Sequence, residues 1–285
     1  MRILSWNIQW GRGIDGRVDL VRVAEVARSF DADVLCLQEV AVNHPGLPGG
    51  AGMNQPEWLA GLFLGFESVY GIASDLPDSL GGRRQFGNLI LSRRPILQVF
   101  HHLLPWPADP AVPSMQRAAL EAVIEAPGFP GGALRVITTH LEYYSARQRA
   151  AQLEALRGIC DAGRRQALQP PQGGEADPPF AVLPRGEGCV LCGDFNCPAD
   201  APERAVLAKV GSPDTVALLD AWPLAHGAVP PEPTFGVHDR RYIAEPACYD
   251  SCYVSADLAE RVRGIAADGG TRASDHQPLL LELSD

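Results

Sequence analysis

Apolar runs near both ends of this chain, and two between them, each stop on a side chain able to bind a cation or move a proton. Ser5-Trp6-Asn7 ends the first run and Leu37-Gln38-Glu39-Val40 the second; Gly193-Asp194-Phe195-Asn196 ends a third, and Ser274-Asp275-His276 precedes the last. Singly, none carries weight, because Asp, Asn and Glu are common where a strand runs out into a loop. Together they require residues from both extremities of a 285-residue chain to converge. That argues for one domain over residues 1–285 and against two independent halves, and 46% hydrophobic content is ample for its core.

Periodicity supplies the elements. Arg2 to Gln9 alternates as a strand, Val18 to Phe30 carries Leu20, Val23, Ala24, Ala27 and Phe30 at helical spacing, and Asp33 to Glu39 reads as a second strand. A Gly- and Pro-rich loop at 44–56 precedes a short helix over Glu57 to Leu64. Strands are expected near 67–73, 87–92, 96–103, 116–125 and 133–140, with short connections that favour antiparallel pairing. Ser145 and Gln148 form a capping box for a helix expected to end near Ala162. From 164 to 188, Pro, Gly and charge replace any period, which predicts an exposed, mobile insertion. A strand at 189–195, a helix near 202–209, a Pro-rich stretch at 223–233 and strands near 249–254 and 278–283 complete the chain. Many strands and few helices, with alternating and continuous apolar runs, imply stacked sheets covered by helices.

Charge and cysteine usage narrow the setting. A net charge of −10 is opposed to a broad non-specific DNA-binding surface, which needs a basic face. Local patches at Arg83-Arg84, Arg93-Arg94, Arg147 with Arg149, and Arg240-Arg241 are the candidates to meet an anion. Trp10, Trp58, Trp106 and Trp222 are able to stack on bases, although burial is the commoner use. Met1 to Trp6 runs straight into a strand with no secretory pattern, and no segment approaches the roughly 20 apolar residues of a membrane span. The seven cysteines are an odd number, so a reduced, cytoplasmic setting is expected. Cys189 and Cys192 lie three apart on a strand and point to opposite faces, so their C-x-x-C reads as structural.

The strand-end residues offer oxygen ligands and proton-moving groups. Glu39 ends Val34-Leu35-Cys36-Leu37, so its carboxylate is expected at the strand mouth as a hard oxygen ligand, with the Asn7 oxygen beside it and the Gln38 side chain facing away. Asp194 and Asn196, two apart, share one side of a strand end. Asp275 and His276 are adjacent but divergent, so their roles should differ.

In this order, and with Thr139-His140-Leu141 and Tyr249-Asp250 between them, the stretches resemble the endonuclease/exonuclease/phosphatase, or DNase I-like, superfamily over nearly the whole chain. The resemblance implies a four-layered α/β sandwich, two mixed, mostly antiparallel sheets packed face to face with helices on both outer sides. It also implies a hydrolase that cleaves phosphoesters, a diester foremost, with Mg2+ or Mn2+. By resemblance Asn7 and Glu39 bind and orient the metal, with Asp275 near it or its waters. Asp194 directs or deprotonates the attacking water, Asn196 contacts water and phosphate, and His140 contacts the phosphate or leaving oxygen. His276 donates to the scissile phosphate and Asp250 fixes its charge and tautomer. Asn88, in Gly87-Asn88-Leu89-Ile90-Leu91-Ser92, and Arg117, in Gln116-Arg117-Ala118, are the candidate substrate contacts. One departure stands out: Ser251-Cys252 makes polar a strand that is strongly apolar in the family.

The substrate stays open among nucleic acid, a nucleotide, a phospholipid headgroup as in sphingomyelinase-like members, and a phosphorylated inositol. A catalytically silent binding protein of the same fold is the contrasting reading, and the completeness of the residue set argues against it.

Overall fold

The computed structural model describes residues 1–78, 81–173, 180–211 and 214–285. In chain order the elements begin β1 (Arg2–Asn7), α1 (Leu20–Ser29), β2 (Val34–His44), β3 (Ala51–Asn54), α2 (Gln55–Leu62), β4 (Glu67–Pro77) and β5 (Arg83–Ser92). They continue with β6 (Ile96–Leu103), β7 (Ala118–Glu125), β8 (Ala133–His140), α3 (Ala146–Leu168) and β9 (Cys189–Asp194). The last are β10 (Leu218–Asp220), α4 (Ala221–His226), β11 (Asp250–Ser255), β12 (Val262–Ala267) and β13 (Leu279–Leu283).

Two sheets result. The first runs β12-β13-β1-β2-β5-β4, with β3 added on β2, and the second runs β10-β11-β9-β8-β7-β6. Only β1 with β2 and β8 with β9 pair in parallel, each through a crossover helix, α1 and α3 respectively. The continuous apolar runs follow from burial on both faces. Ile3, Val34, Cys36 and Ile90 meet Leu120, Val136, Val190, Cys192 and Val254 between the sheets. The alternate residues Leu4, Trp6, Leu35 and Leu37 pack outward on Leu20, Val23, Ala24 and Ala27 of α1. Ile137 and Leu191 do the same with Leu153, Leu156 and Cys160 of α3. The four layers are thus helix, sheet, sheet, helix, the α/β sandwich of the sequence reading. Cys189 packs on the helical side and Cys192 between the sheets, so that pair diverges as alternation requires.

Several boundaries move. β2 does not end at Glu39 but continues to His44, because Glu39 adopts φ 58° in a bulge that shifts the register between Leu37 and Val40. The expected loop at 44–56 contains β3, and α2 starts at Gln55, capped by Asn54 with Pro56 in its first turn. α3, capped by Ser145, continues beyond Ala162 to Leu168, burying Cys160 and Gly163, so the irregular segment starts later than its composition suggests. Within the expected insertion, residues 174–179 lie outside the described residues. The Pro-rich 223–233 stretch hides the end of α4, which tolerates Pro223 because it stands in the first turn behind the Asp220 cap. No helix among the described residues is long and apolar enough to cross a membrane.

Candidate active site

The carboxyl ends of the parallel pairs place the site. Asn7 stands opposite Gln38 at the end of β1, His140 opposite Asp194 at the ends of β8 and β9, and Asp194 opposite Asp250 at the start of β11. Alternation would send Glu39 outward with Leu37, but the bulge turns it back to Asn7. Gln38 faces the second sheet instead, donating to Thr138 Oγ1 at 2.8 Å, so the two neighbours diverge as expected.

Asp194 is the hub. Its Oδ2 accepts from Asn7 Nδ2 at 3.0 Å and lies 3.5 Å from both His140 Nε2 and His276 Nε2. Its Oδ1 accepts from the Asn196 backbone N–H at 2.9 Å, an Asx turn made possible by φ 51° at Asn196. The Asn196 side chain donates to Leu141 O at 2.8 Å, which ties the turn to the end of β8. His276 Nδ1 lies 2.8 Å from Asp250 Oδ2, and Phe235 stacks on the imidazole at 4.5 Å between ring centres. Asp275 points the other way and accepts from Gln9 Nε2 at 2.6 Å. The structure thus gathers Asn7, Glu39, His140, Asp194, Asn196, Asp250, Asp275 and His276 into one cluster.

Burial divides the ionisable groups. Burial pushes Glu39 up to about 7, and the neighbouring Asp275 carboxylate adds to the rise. Burial likewise raises Asp275 and Asp250. Burial would raise Asp194 too, but the adjacent His276 and His140 hold it below the usual carboxylate range. Burial opposes a charged His276, yet Asp250 and Asp194 outweigh it and keep its proton on well above the usual pH. His140 goes the other way, down to about 3, through burial and then the Arg117 guanidinium. Two imidazoles facing one carboxylate oxygen therefore differ in charge, His276 cationic and His140 neutral.

The donor set fits a hard cation. Glu39 Oε2 is buried without a hydrogen-bond partner, and its carboxylate stands in the field of Asp275 and Asp194. A divalent ion would answer both deficits. Asn7 is placed differently from the expectation that its oxygen faces a metal. Its Nδ2 donates to Glu39 Oε1 at 3.1 Å and to Asp194, while its Oδ1 accepts from Gln9 N–H at 3.0 Å. Asp194, Asp250 and His276 also present three donor atoms within 4.8 Å of one another, but His276 Nδ1 is already engaged by Asp250.

The two candidate substrate contacts separate. Arg117 is buried, bonds Glu142 at 3.3 Å, and is close enough to depress His140. Asn88 is buried on β5 with its amide on Ala118 O at 3.0 Å, and it bonds none of the clustered side chains. The arginine pairs are largely held by acids or carbonyls: Arg83 by Asp75, Arg93 by Asp31, Arg94 by Asp285, Arg149 by Glu203, Arg240 by Glu245, Arg241 by Asp239, and Arg147 and Arg84 by backbone oxygens. Trp222 is buried and Trp10 donates to Pro48 O, whereas Trp58 and Trp106 are half exposed. Gln9, Thr234 and Phe235 were not singled out from sequence. Gln9, two residues beyond Ser5-Trp6-Asn7 at the end of the expected strand, was findable; Thr234, whose oxygen accepts the Asp250 N–H at 3.0 Å, and Phe235 meet the site through long-range contacts alone.

Relatives carry the same architecture. An endonuclease/exonuclease/phosphatase from Beutenbergia cavernae matches with a TM-score of 0.70 at 25% identity, over 99% of this chain and 71% of that one. The Bacteroides thetaiotaomicron mannosyl-6-phosphatase matches over 100% of both chains with a TM-score of 0.66 at 16% identity. The human Nocturnin catalytic domain, with a bound sulfate anion, matches at 0.61 and 18%, over 100% of this chain and 94% of that one. The last two likenesses are of fold. No curated protein matches the sequence. The Endonuclease/Exonuclease/phosphatase family matches residues 4–276, a span that takes in every clustered residue above, and the chain belongs to that family of phosphoesterase hydrolases.

Proposed function

We propose that this protein hydrolyses a phosphodiester by in-line attack of water, with Mg2+ or Mn2+ as cofactor. The observation that carries the reading is the meeting of His140 Nε2 and His276 Nε2, each 3.5 Å from Asp194 Oδ2. A base, a cationic donor and a neutral donor there face a single small volume.

Glu39, with its unpartnered oxygen, and Asp275 would hold the cation, and Asn7 steadies the Glu39 carboxylate. When bound, the cation supplies positive charge that offsets the anionic phosphate. Asp194, ionised and pinned through both oxygens, accepts the proton of the attacking water. Asn196 fixes the turn that aims it. His276, kept protonated by Asp250, donates from Nε2 to a phosphoryl oxygen as charge gathers there. His140, neutral, completes the hydrogen bonding of the phosphoryl or leaving oxygen, with Arg117 behind it.

Asp194→Asn retains shape and loses the base. With an activated phosphodiester and Mg2+ or Mn2+, kcat should fall by at least about 10²-fold, and chelation should abolish wild-type turnover. Equal rates in the two proteins would overturn the reading. Running a phosphomonoester and a choline phosphodiester beside the nucleotide diester distinguishes the substrate classes.

A further inference from the structure

Arg204 lies outside the cluster, in the 3-10 turn Pro202–Ala208, yet its side chain is buried at 4% exposure. None of its partners is an acid. Nη1 donates to Ser251 Oγ at 2.6 Å, Nη2 to Tyr249 O at 3.1 Å and also to Cys197 O, and Nε to Cys197 Sγ at 3.3 Å. The guanidinium also covers the Phe195 ring, 4.7 Å from its centre. Asp220 and Glu203 stand in the field of the guanidinium without bonding it, so the group is held mainly by neutral acceptors drawn from two segments.

The identity of the gripped groups supplies the reason. Phe195 and Cys197 flank Asn196, and Tyr249 and Ser251 flank Asp250. The Phe195 N–H to Tyr249 O bond, at 2.9 Å, runs alongside. We infer that Arg204 is a positioning residue, a planar fork that locks the Asp194–Asn196 turn to the start of β11 and so fixes how Asp194 and the Asp250–His276 pair face each other. The Ser251 hydroxyl, buried on β11, receives one arm of the fork. A fork is needed because one rigid plane must satisfy acceptors from two segments at once, which lysine cannot do. The inference rests on the phosphoesterase reading for its kinetic consequence, not for its geometry.

The test compares Arg204→Met, Arg204→Lys and Ser251→Ala with wild type on an activated phosphodiester. For both Arg204 variants we expect kcat to fall at least about tenfold with KM within about twofold, since a displaced catalytic group costs rate and not ground-state binding. Arg204→Met leaves Tyr249 O, Cys197 O and Ser251 Oγ without this donor, so its thermal midpoint should fall, and kcat is compared per folded protein well below that midpoint, where a merely structural arginine would leave it intact. Ser251→Ala should lose about threefold, and adding it to Arg204→Lys should lose nothing more, because both act through one contact. Wild-type kcat in a folded Arg204 variant, or additive losses in that pair, would overturn the inference. If Arg204→Met does not fold, Arg204→Lys and Ser251→Ala decide. If wild type itself is inert, the phosphoesterase reading fails separately, and NMR carries the test. Arg204→Lys should then shift the Asn196 amide and His276 ring signals while the Trp58 indole stays in place, and unmoved site signals would refute the fork.

Discussion

Gly193 sits at φ 142°, and a Cβ there would lie 1.9 Å from Thr139 O on the adjoining strand. No other residue fits so close an approach of β8 and β9. Gly193→Ala should therefore cost more than about 3 kcal/mol by urea denaturation, the range of a strained and overpacked core site, and the parted strands should misplace His140 against Asp194. That Asn7, Glu39, Asp194, Asn196, Asp275 and His276 lie together was legible from the order of the four stretches taken jointly, not from any one strand end. The bulge that turns Glu39 to Asn7 was not, since it depends on one positive φ that no spacing announces. Arg204 was equally hidden: its partners, Tyr249 and Ser251, are brought to it only by the β9 and β11 pairing.

The second sheet carries a charged group of its own. Glu121, midway along β7 and fully buried, bonds Arg185 at 2.6 Å and His102 at 3.0 Å, with Arg135 at 3.7 Å. Burial would raise its pKa, but the His102 and Arg185 bonds bring it below its ordinary value of 4.5. With the folded value depressed, the stabilisation is present above the unfolded pKa and is lost as pH falls through the folded one. Glu121→Gln should thus flatten the acid limb of the stability profile below about pH 4.5. At pH 7 it should cost about 3–5 kcal/mol, because it leaves buried arginines uncompensated; urea titrations across pH measure both. Elements rich in period, such as β5, β8 and the first turns of α3, were readable. β3, β10 and β12 were missed: β3 and β12 carry glycine and exposed positions, and β10 is only three residues long, too short to show a strand pattern.

Across the molecule, apolar pattern alone implied sheets with helical cover; how the sheets stack came from the family likeness, because which face meets which is decided by the pairing of distant strands. The seven cysteines are all free, six of them buried. Only Cys248 is partly accessible, and burial pushes its thiol up to about 12. An aromatic disulfide reagent should accordingly find about one slow thiol in the native protein and seven after unfolding in guanidinium. The pairing of β1 with β13 has a temporal side. During translation β1 emerges well before β13, and its open edge waits for residues 279–283, which follow Asp275 and His276 out of the ribosome. A product halted before residue 279 leaves that edge of β1 unclaimed, a liability that a nascent-chain chaperone would have to shield.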